Sequence, residues 1–311
     1  MKNVGLWAGC ILLLLAECRP SEKNAYSPPK NPLFVQLPAE QTGLAFENTV
    51  RDDSTFNVIT YRNFYNGGGV AIGDVNNDGW PDVYLTSNSG QNKLFLNRKS
   101  WKFEDVTEKA GVGGTQAWST GVAMADVNAD GWLDIYVCNS GNVRGDRKAN
   151  ELFVNNRDGT FTERAAEYGL NDRGYSTHAA FFDYDGDGDL DCYVLNNSFK
   201  QIRKFDYRQD LRSQRDSLGG DKLLRNDGNR FTDVSAQAGI FGSEIGFGLG
   251  VSVADLNGDA WPDLYVSNDF FERDYCYLNN RNGTFREVLT SQVGHLSLNS
   301  MGADVADLNN D

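Results

Sequence analysis

The sequence predicts an all-β fold, a β-propeller of four-stranded blades, on three observations. The first is a nine-residue motif, Asp-x-Asn/Asp-x-Asp-Gly-x-x-Asp, which occurs four times and begins a fifth time, with Ala260 in place of glycine in the fourth copy. The copies start at Asp74, Asp126, Asp183, Asp255 and Asp307, at intervals of 52, 57, 72 and 52 residues. A period of that size marks supersecondary units that stack or form a ring. The second is a pair of short β-branched and aromatic runs flanking each motif. The third is a phenylalanine near the end of each repeat, at Phe103, Phe161, Phe231 and Phe285.

Each repeat reads as four strands. Small-residue apolar stretches at 68–72, 121–125 and 248–253 precede the motif, and Val-Tyr-Leu-like runs at 83–85, 135–137, 192–194 and 264–266 follow it. Runs this short and this rich in β-branched and aromatic residues are strands, so the motif is a hairpin loop. A third strand is predicted at 93–97 and 151–155. The fourth carries the recurrent phenylalanine, introduced by Asp158-Gly159, Asp227-Gly228 or Asn282-Gly283 in the last three repeats, as tight hairpins require. Phe46 lies 57 residues before Phe103, so residues 44–50 are predicted to be an outer strand separated from its own blade.

The motif itself specifies a chemistry. Oxygen side chains on alternate residues, turned by a glycine, cage a hard cation such as Ca²⁺. Side chains at positions 1, 3, 5 and 9 and the carbonyl at position 7 are the expected ligands. They are Asp74, Asn76, Asp78, Trp80 and Asp82; Asp126, Asn128, Asp130, Trp132 and Asp134; Asp183, Asp185, Asp187, Asp189 and Asp191; and Asp255, Asn257, Asp259, Trp261 and Asp263. The fifth copy keeps Asp307, Asn309 and Asp311 but lacks the glycine and the ninth-position aspartate, which leaves four complete sites and one truncated one. Ala260 stands where a positive φ is expected, at a cost of about 1 kcal/mol. The formal net charge of −14 excludes nucleic acid as a natural partner. Much of that acidity lies inside the motifs and is a cation-binding signature.

The N-terminus predicts export. Residues 1–18 have a lysine start and a 13-residue apolar run at 4–16, too short to span a bilayer, which is a signal peptide pattern. The run ends Leu15-Ala16-Glu17-Cys18, which resembles a bacterial lipobox except at Glu17, and makes Cys18 the lipidation candidate. Residues 19–32 hold four of the seven prolines and read as a tether to a propeller over 33–311. Export to the bacterial envelope, as an outer-membrane or cell-surface lipoprotein, is the expected location. Cys138, Cys192 and Cys276 remain, an odd number without metal-site spacing, and are expected to be buried free thiols. Strand alternation points Cys138 and Cys192 to opposite faces of their blades.

The repeats resemble FG-GAP/VCBS repeats, the kind that build the calcium-bearing propeller of integrin α subunits. Residues 33–311, through 176–198 and 266–280 in particular, are similar to bacterial VCBS proteins of the cartilage-acidic-protein-like group, whose propellers are often followed by an ASPIC/UnbV domain. The resemblance implies a ring of about seven blades on the cell surface or in the envelope, and no particular activity.

The face opposite the motif loops is where a partner is expected. Its loops hold Tyr61, Arg62, Phe64, Tyr65, Trp118, Tyr175, His178, Phe270, Phe271, Arg273 and His295, together with an Arg- and Asp-rich insertion at 199–221. Aromatics and arginines gathered on loops suit recognition of a glycan or a protein, and equally suit packing between blades. The chain has two histidines and no nucleophile elbow, Walker loop or Cys/His cluster, so the reading leans away from an enzyme. The expected function is a calcium-binding recognition or scaffold module. A polysaccharide hydrolase or lyase on the same scaffold, or a purely structural subunit of a surface complex, are the alternatives.

Overall fold

The structure is a computed structural model that describes residues 31–141, 148–200 and 211–308. The signal peptide, Cys18, most of the tether, half of the insertion, Asn309 and Asp311 fall outside the described residues. Residues 39 onward form one compact unit. No helix among the described residues is long and apolar enough to cross a membrane.

Four antiparallel four-stranded meanders make up this unit, each in simple sequence order. Blade 1 is β1 (Val70–Gly73), β2 (Asp82–Leu85), β3 (Lys93–Asn97) and β4 (Phe103–Asp105). Blade 2 is β5 (Ser119–Ala125), β6 (Asp134–Asn139), β7 (Glu151–Asn155) and β8 (Phe161–Glu163). Blade 3 is β9 (Ser176–Phe182), β10 (Asp191–Asn196), β11 (Lys222–Asn226) and β12 (Phe231–Asp233). Blade 4 is β13 (Gly248–Ala254), β14 (Asp263–Asn268), β15 (Tyr275–Asn279) and β16 (Phe285–Glu287). Every motif joins the first strand to the second: the residue before the motif pairs with its ninth aspartate, as Gly73 with Asp82 and Ala125 with Asp134.

The cores lie between blades. Second strands are buried on both faces, so alternate residues serve different cores. In β6, Ile135 and Val137 pack toward blade 1, whereas Tyr136 and Cys138 pack toward blade 3. In β10, Cys192 and Val194 face blade 2, and Tyr193 and Leu195 face blade 4. Cys138 and Cys192, on opposite faces of their own blades, therefore meet in one core, and with Cys276 they are buried and free. Fully burying such side chains contributes about 1.5–3 kcal/mol each. The recurrent Phe161, Phe231 and Phe285 each fill the core shared with the preceding blade.

Threonines on the first strands, and Thr86 just after β2, stitch each blade to the next. The Thr86 hydroxyl donates to the Thr120 carbonyl, the Thr120 hydroxyl to Ser176 (2.7 Å) and the Thr177 hydroxyl to Gly248 (2.9 Å). This approach is close enough to demand glycine at one place: a Cβ on Gly121 would stand 2.4 Å from the Thr177 carbonyl oxygen.

Two features differ from the sequence reading. Fourth strands of blades 1, 2 and 4 lead into single helical turns, α2 (Thr107–Ala110), α3 (Ala165–Tyr168) and α4 (Leu289–Gln292), too short for any periodicity to announce. Gly111 and Gly169 close the first two at φ 74° and 78°. Residues 44–50 form no strand. Here Ala39–Thr42 (α1) and Gly43, at φ 78°, repeat the turn-and-glycine unit instead. Phe46 follows that glycine, whereas Phe103 and Phe161 precede theirs, so the aromatic spacing misled the register. The segment is held by side chains: Asn48 exchanges hydrogen bonds with Asn88 (2.8 and 3.0 Å), and Ser89 donates to the Thr49 carbonyl (2.7 Å).

At the end of each second strand, one side chain from the start of the third accepts the exposed N–H. Asn92 caps Ser87, Asn150 caps Asn139, Asp221 caps Asn196 and Asp274 caps Asn268, at 2.8–2.9 Å. Burial pushes the Asp221 carboxyl up to about 7, against the pull of Asn196, Tyr193 and Arg215. An acid whose folded pKa lies above its unfolded value near 3.9 holds its proton more tightly when folded, so stability falls as pH rises from about 4 to about 7. Asparagine does the same capping in blades 1 and 2, and Arg215 donates to the backbone carbonyls of Ile240 and Asp221 rather than needing the carboxylate. Asp221→Asn is therefore expected to raise the melting temperature at pH 8 and to flatten the curve between pH 4 and 7. Melts of both proteins across that range check this, and an equal slope in both would refute it.

Candidate metal centre and the opposite face

The four loops are built alike from backbone donors and acidic acceptors. The first aspartate accepts from the N–H groups of positions 5 and 6: Asp74 from Asp78 (3.1 Å) and Gly79 (2.7 Å), and Asp126 from Asp130 (2.9 Å) and Gly131 (2.7 Å). Asp255 likewise accepts from Asp259 (3.0 Å) and Ala260 (2.8 Å), whereas Asp183 accepts from positions 4 and 6, Gly186 (2.7 Å) and Gly188 (3.0 Å). Asn76 and Asn128 also accept from position 5. The fifth aspartate accepts from position 7, which is Trp80, Trp132, Asp189 or Trp261. These bonds need left-handed backbone at two places. Position 6 is left-handed throughout, including Ala260 at φ 67°, as the sequence led us to expect. Position 4 is left-handed as well, at Asn77 and Ala129 (both φ 55°), Gly186 and Gly258, which the motif did not reveal because its residue type varies.

The ninth aspartate plays a different part. Asp82, Asp134, Asp191 and Asp263 are buried, at 0–1% exposure. One oxygen of each accepts from the loop's second residue and the other from the last residue of the third strand, as Asp82 does from Val75 (3.0 Å) and Asn97 (2.8 Å). Burial, with the loop's other carboxylates adding to it, pushes Asp82 and Asp134 up to about 6 and Asp191 to about 7, despite those donors.

The third loop is the most acidic. Asp183, Asp185 and Asp187 each place a carboxylate oxygen within 4.8 Å of the others. Oδ1 of Asp185 is shielded from solvent and has no hydrogen-bond partner. These three carboxylates fit a hard divalent ion. In loops 2 and 4 an arginine sits on the fifth aspartate, Arg157 on Asp130 (3.0 Å) and Arg281 on Asp259 (2.8 Å). In loop 1 the equivalent Lys99 lies over the Trp80 ring. Asp307 is exposed, in a segment that runs beside β13, with Ser252 donating to the Ala303 carbonyl (2.8 Å).

On the opposite face, several expected recognition residues are packing residues. Tyr61, Phe64 and Trp118 are at most 2% exposed and cluster with Phe56 and Phe199. Tyr175 stacks on Phe199 (5.1 Å). Arg62 lies over Phe247 (4.9 Å) and Phe270 (5.1 Å), and Phe271 also packs on Phe247. Arg273 pairs with Glu287. Tyr65 and His295 are exposed, and His178 is half-buried. His178 lines a chamber of about 320 Å³ at this end of the first strands, with Asn63, Asn66, Thr120, Leu249 and Met301 among its walls. Sequence reasoning passed over these partners. The signal was available: the chamber gathers the sixth residue before each motif and, in the first three repeats, the fifth as well.

Comparison with known proteins fits this architecture. The model of the FG-GAP-like repeat matches residues 52–137, 139–194, 206–266 and 255–311. Cartilage acidic protein 1 of Xenopus tropicalis is 28% identical over 210 residues, 66% of this chain and 29% of that protein. The human protein is 26% identical over 208 residues, 66% of this chain and 28% of that protein. The chain thus spans under a third of the curated relatives it matches. Among solved structures, an Agrocybe aegerita lectin, described as recognising non-reducing terminal N-acetylglucosamine, aligns at TM-score 0.37 and 18% identity, covering 69% of this chain and 49% of the lectin. A V. cholerae biofilm matrix protein aligns at TM-score 0.38 and 16% identity, over 70% of this chain and 27% of that one. With its repeat model matched along most of its length and four blades that each carry the motif between the same two strands, this chain belongs to the FG-GAP repeat family.

Proposed function

We propose that this chain is a calcium-stabilised propeller that serves as a binding or scaffold module in the bacterial envelope, anchored through Cys18 or exported. Its partner is a glycan or a protein, engaged on the face opposite the loops. The observation that carries the calcium reading is the third loop, where three carboxylates converge and the Asp185 Oδ1 atom has no donor of its own. Asp183, Asp185 and Asp187 would hold the ion there, and the first, third and fifth residues of the other loops would hold theirs. A bound Ca²⁺ supplies charge neutralisation and cross-links oxygens that otherwise repel. The chain's own part is to fix the loop: backbone N–H groups aim the first and fifth aspartates, and the ninth ties the loop to its blade.

Four expectations follow from these geometries. Millimolar Ca²⁺ should raise the melting temperature and a chelator should reverse the rise, because an ion at a hundred times its Kd adds about 2.7 kcal/mol per site. Identical melts in calcium and in chelator would sink the proposal. Loop 3 should fill first, since it gathers the most carboxylates and, unlike loops 2 and 4, holds no arginine on its fifth aspartate, so Asp185→Asn should remove the tightest step in a calorimetric titration. Loss of a weaker step instead would reassign the order. Ala129→Gly and Ala260→Gly should each stabilise the loop by about 0.5–1 kcal/mol by relieving left-handed strain. Melts in chelator read that gain directly, and a lower melting temperature in both variants would contradict it.

A further inference from the structure

The fifth residue before each motif is Gly69, Gly121, His178, Gly250 or Gly302, so one repeat of five places a side chain where the others have none. The glycines have a structural reason. A Cβ on Gly69 would stand 2.9 Å from the Thr120 carbonyl oxygen, and one on Gly250 would stand 2.9 Å from the Gly302 Cα. His178 breaks that rule at the wall of the 320 Å³ chamber. Its Nδ1 is pressed toward Gly121, shielded from solvent and without a hydrogen-bond partner. Desolvation lowers the imidazole pKa, so the ring is neutral at physiological pH. The tautomer that leaves no N–H buried carries its proton on Nε2, which makes that nitrogen the ring's available donor.

The walls define what that donor would meet. No lining residue carries a formal charge other than the titratable His178 itself. The lining offers the Asn63 and Asn66 amides together with apolar surface from Val70, Leu249 and Met301. The Thr120 and Thr177 hydroxyls are committed to neighbouring backbone carbonyls. The volume is at the small end of the range of about 300–1,000 Å³ for ligand pockets. A charged ligand would lose its hydration here without gaining a counter-charge. An uncharged ring with hydroxyl groups and an apolar face matches this mixed, uncharged lining.

The geometry points to a binding site for one neutral sugar unit at this mouth of the first-strand cluster, with the His178 imidazole as its hydrogen-bonding residue. This deepens the recognition-module reading and rests on it, but does not depend on calcium. The chain has two histidines, so the His178 and His295 imidazole signals are readily told apart in proton NMR. Titration of the 311-residue chain with neutral methyl hexosides should shift the His178 signals saturably and leave those of His295 in place. A methyl glucuronide should bind at least tenfold more weakly than the best hexoside. His178→Gly, which restores the residue found in the other repeats, should weaken binding at least tenfold and leave calcium-dependent melting unchanged. No saturable His178 shift with any neutral hexoside at tens of millimolar would overturn the proposal, as would equal binding by the glycine variant or a preference for the glucuronide. A calcium-independent melt alongside normal sugar binding would count against the calcium reading alone.

Discussion

One buried carboxylate per blade holds the architecture together. The ninth motif aspartate brings its loop and its third strand onto a single side chain: Asp134 accepts from Val127 (3.1 Å) and Asn155 (2.8 Å), and Asp263 from Leu256 (2.9 Å) and Asn279 (2.7 Å). The same asparagine then reaches across to the preceding blade. Asn155 donates to the Val75 carbonyl (2.8 Å), Asn226 to Val127 (3.3 Å) and Asn279 to Tyr184 (2.7 Å). A hydrogen bond to a charged group contributes about 1.5–3 kcal/mol, and an unpaired buried carboxylate would cost more than that. The arrangement therefore tolerates neither a shift of the loop nor a slip between blades. It also gives the aspartate at the ninth position of the motif a structural reason of its own.

The rest of the fold follows from that hub and from alternation along the second strand. Each second strand is buried on both faces, so its odd and even residues belong to different cores. Cys138 and Cys192 meet for that reason, although they lie on opposite faces of their blades. First strands approach so closely that threonine hydroxyls bridge them and glycine is required between them. The loops meet too: the Asn77 amide donates to the Gly131 carbonyl (2.9 Å), and the Trp261 ring lies over Gly186. A cation in one loop would thus be felt by its neighbour through short contacts.

The two ends of the blades do different physical work. The motif end concentrates negative charge, with Arg157 and Arg281 offsetting it in loops 2 and 4. The opposite end is aromatic, and most of its aromatic area is spent on packing. Tyr61 meets Trp118 edge-on (5.8 Å) and stacks on Phe199 (5.8 Å), which closes the gap between loops of three blades. The chamber that stays accessible there is uncharged and mixed in polarity, and His178 is where its lining departs from the repeat.

The repeat period, the hairpin position of the four complete motifs and the burial of the free cysteines were legible in the sequence by itself, because each rests on local alternation and on residue types with narrow conformational roles. The left-handed need at Ala260 was legible for the same reason. Four things were decided only by tertiary structure. Tyr61 and Trp118 became packing residues because partners far along the chain, Phe199 among them, cover them. Residues 44–50 lost their strand because Asn48 found Asn88, a contact forty residues away that spacing of phenylalanines cannot encode. The ninth aspartate became a hub because its second donor arrives from the third strand, outside the motif. The chamber around His178 exists because five repeats bring equivalent residues to one point, and that convergence is a property of their arrangement in space.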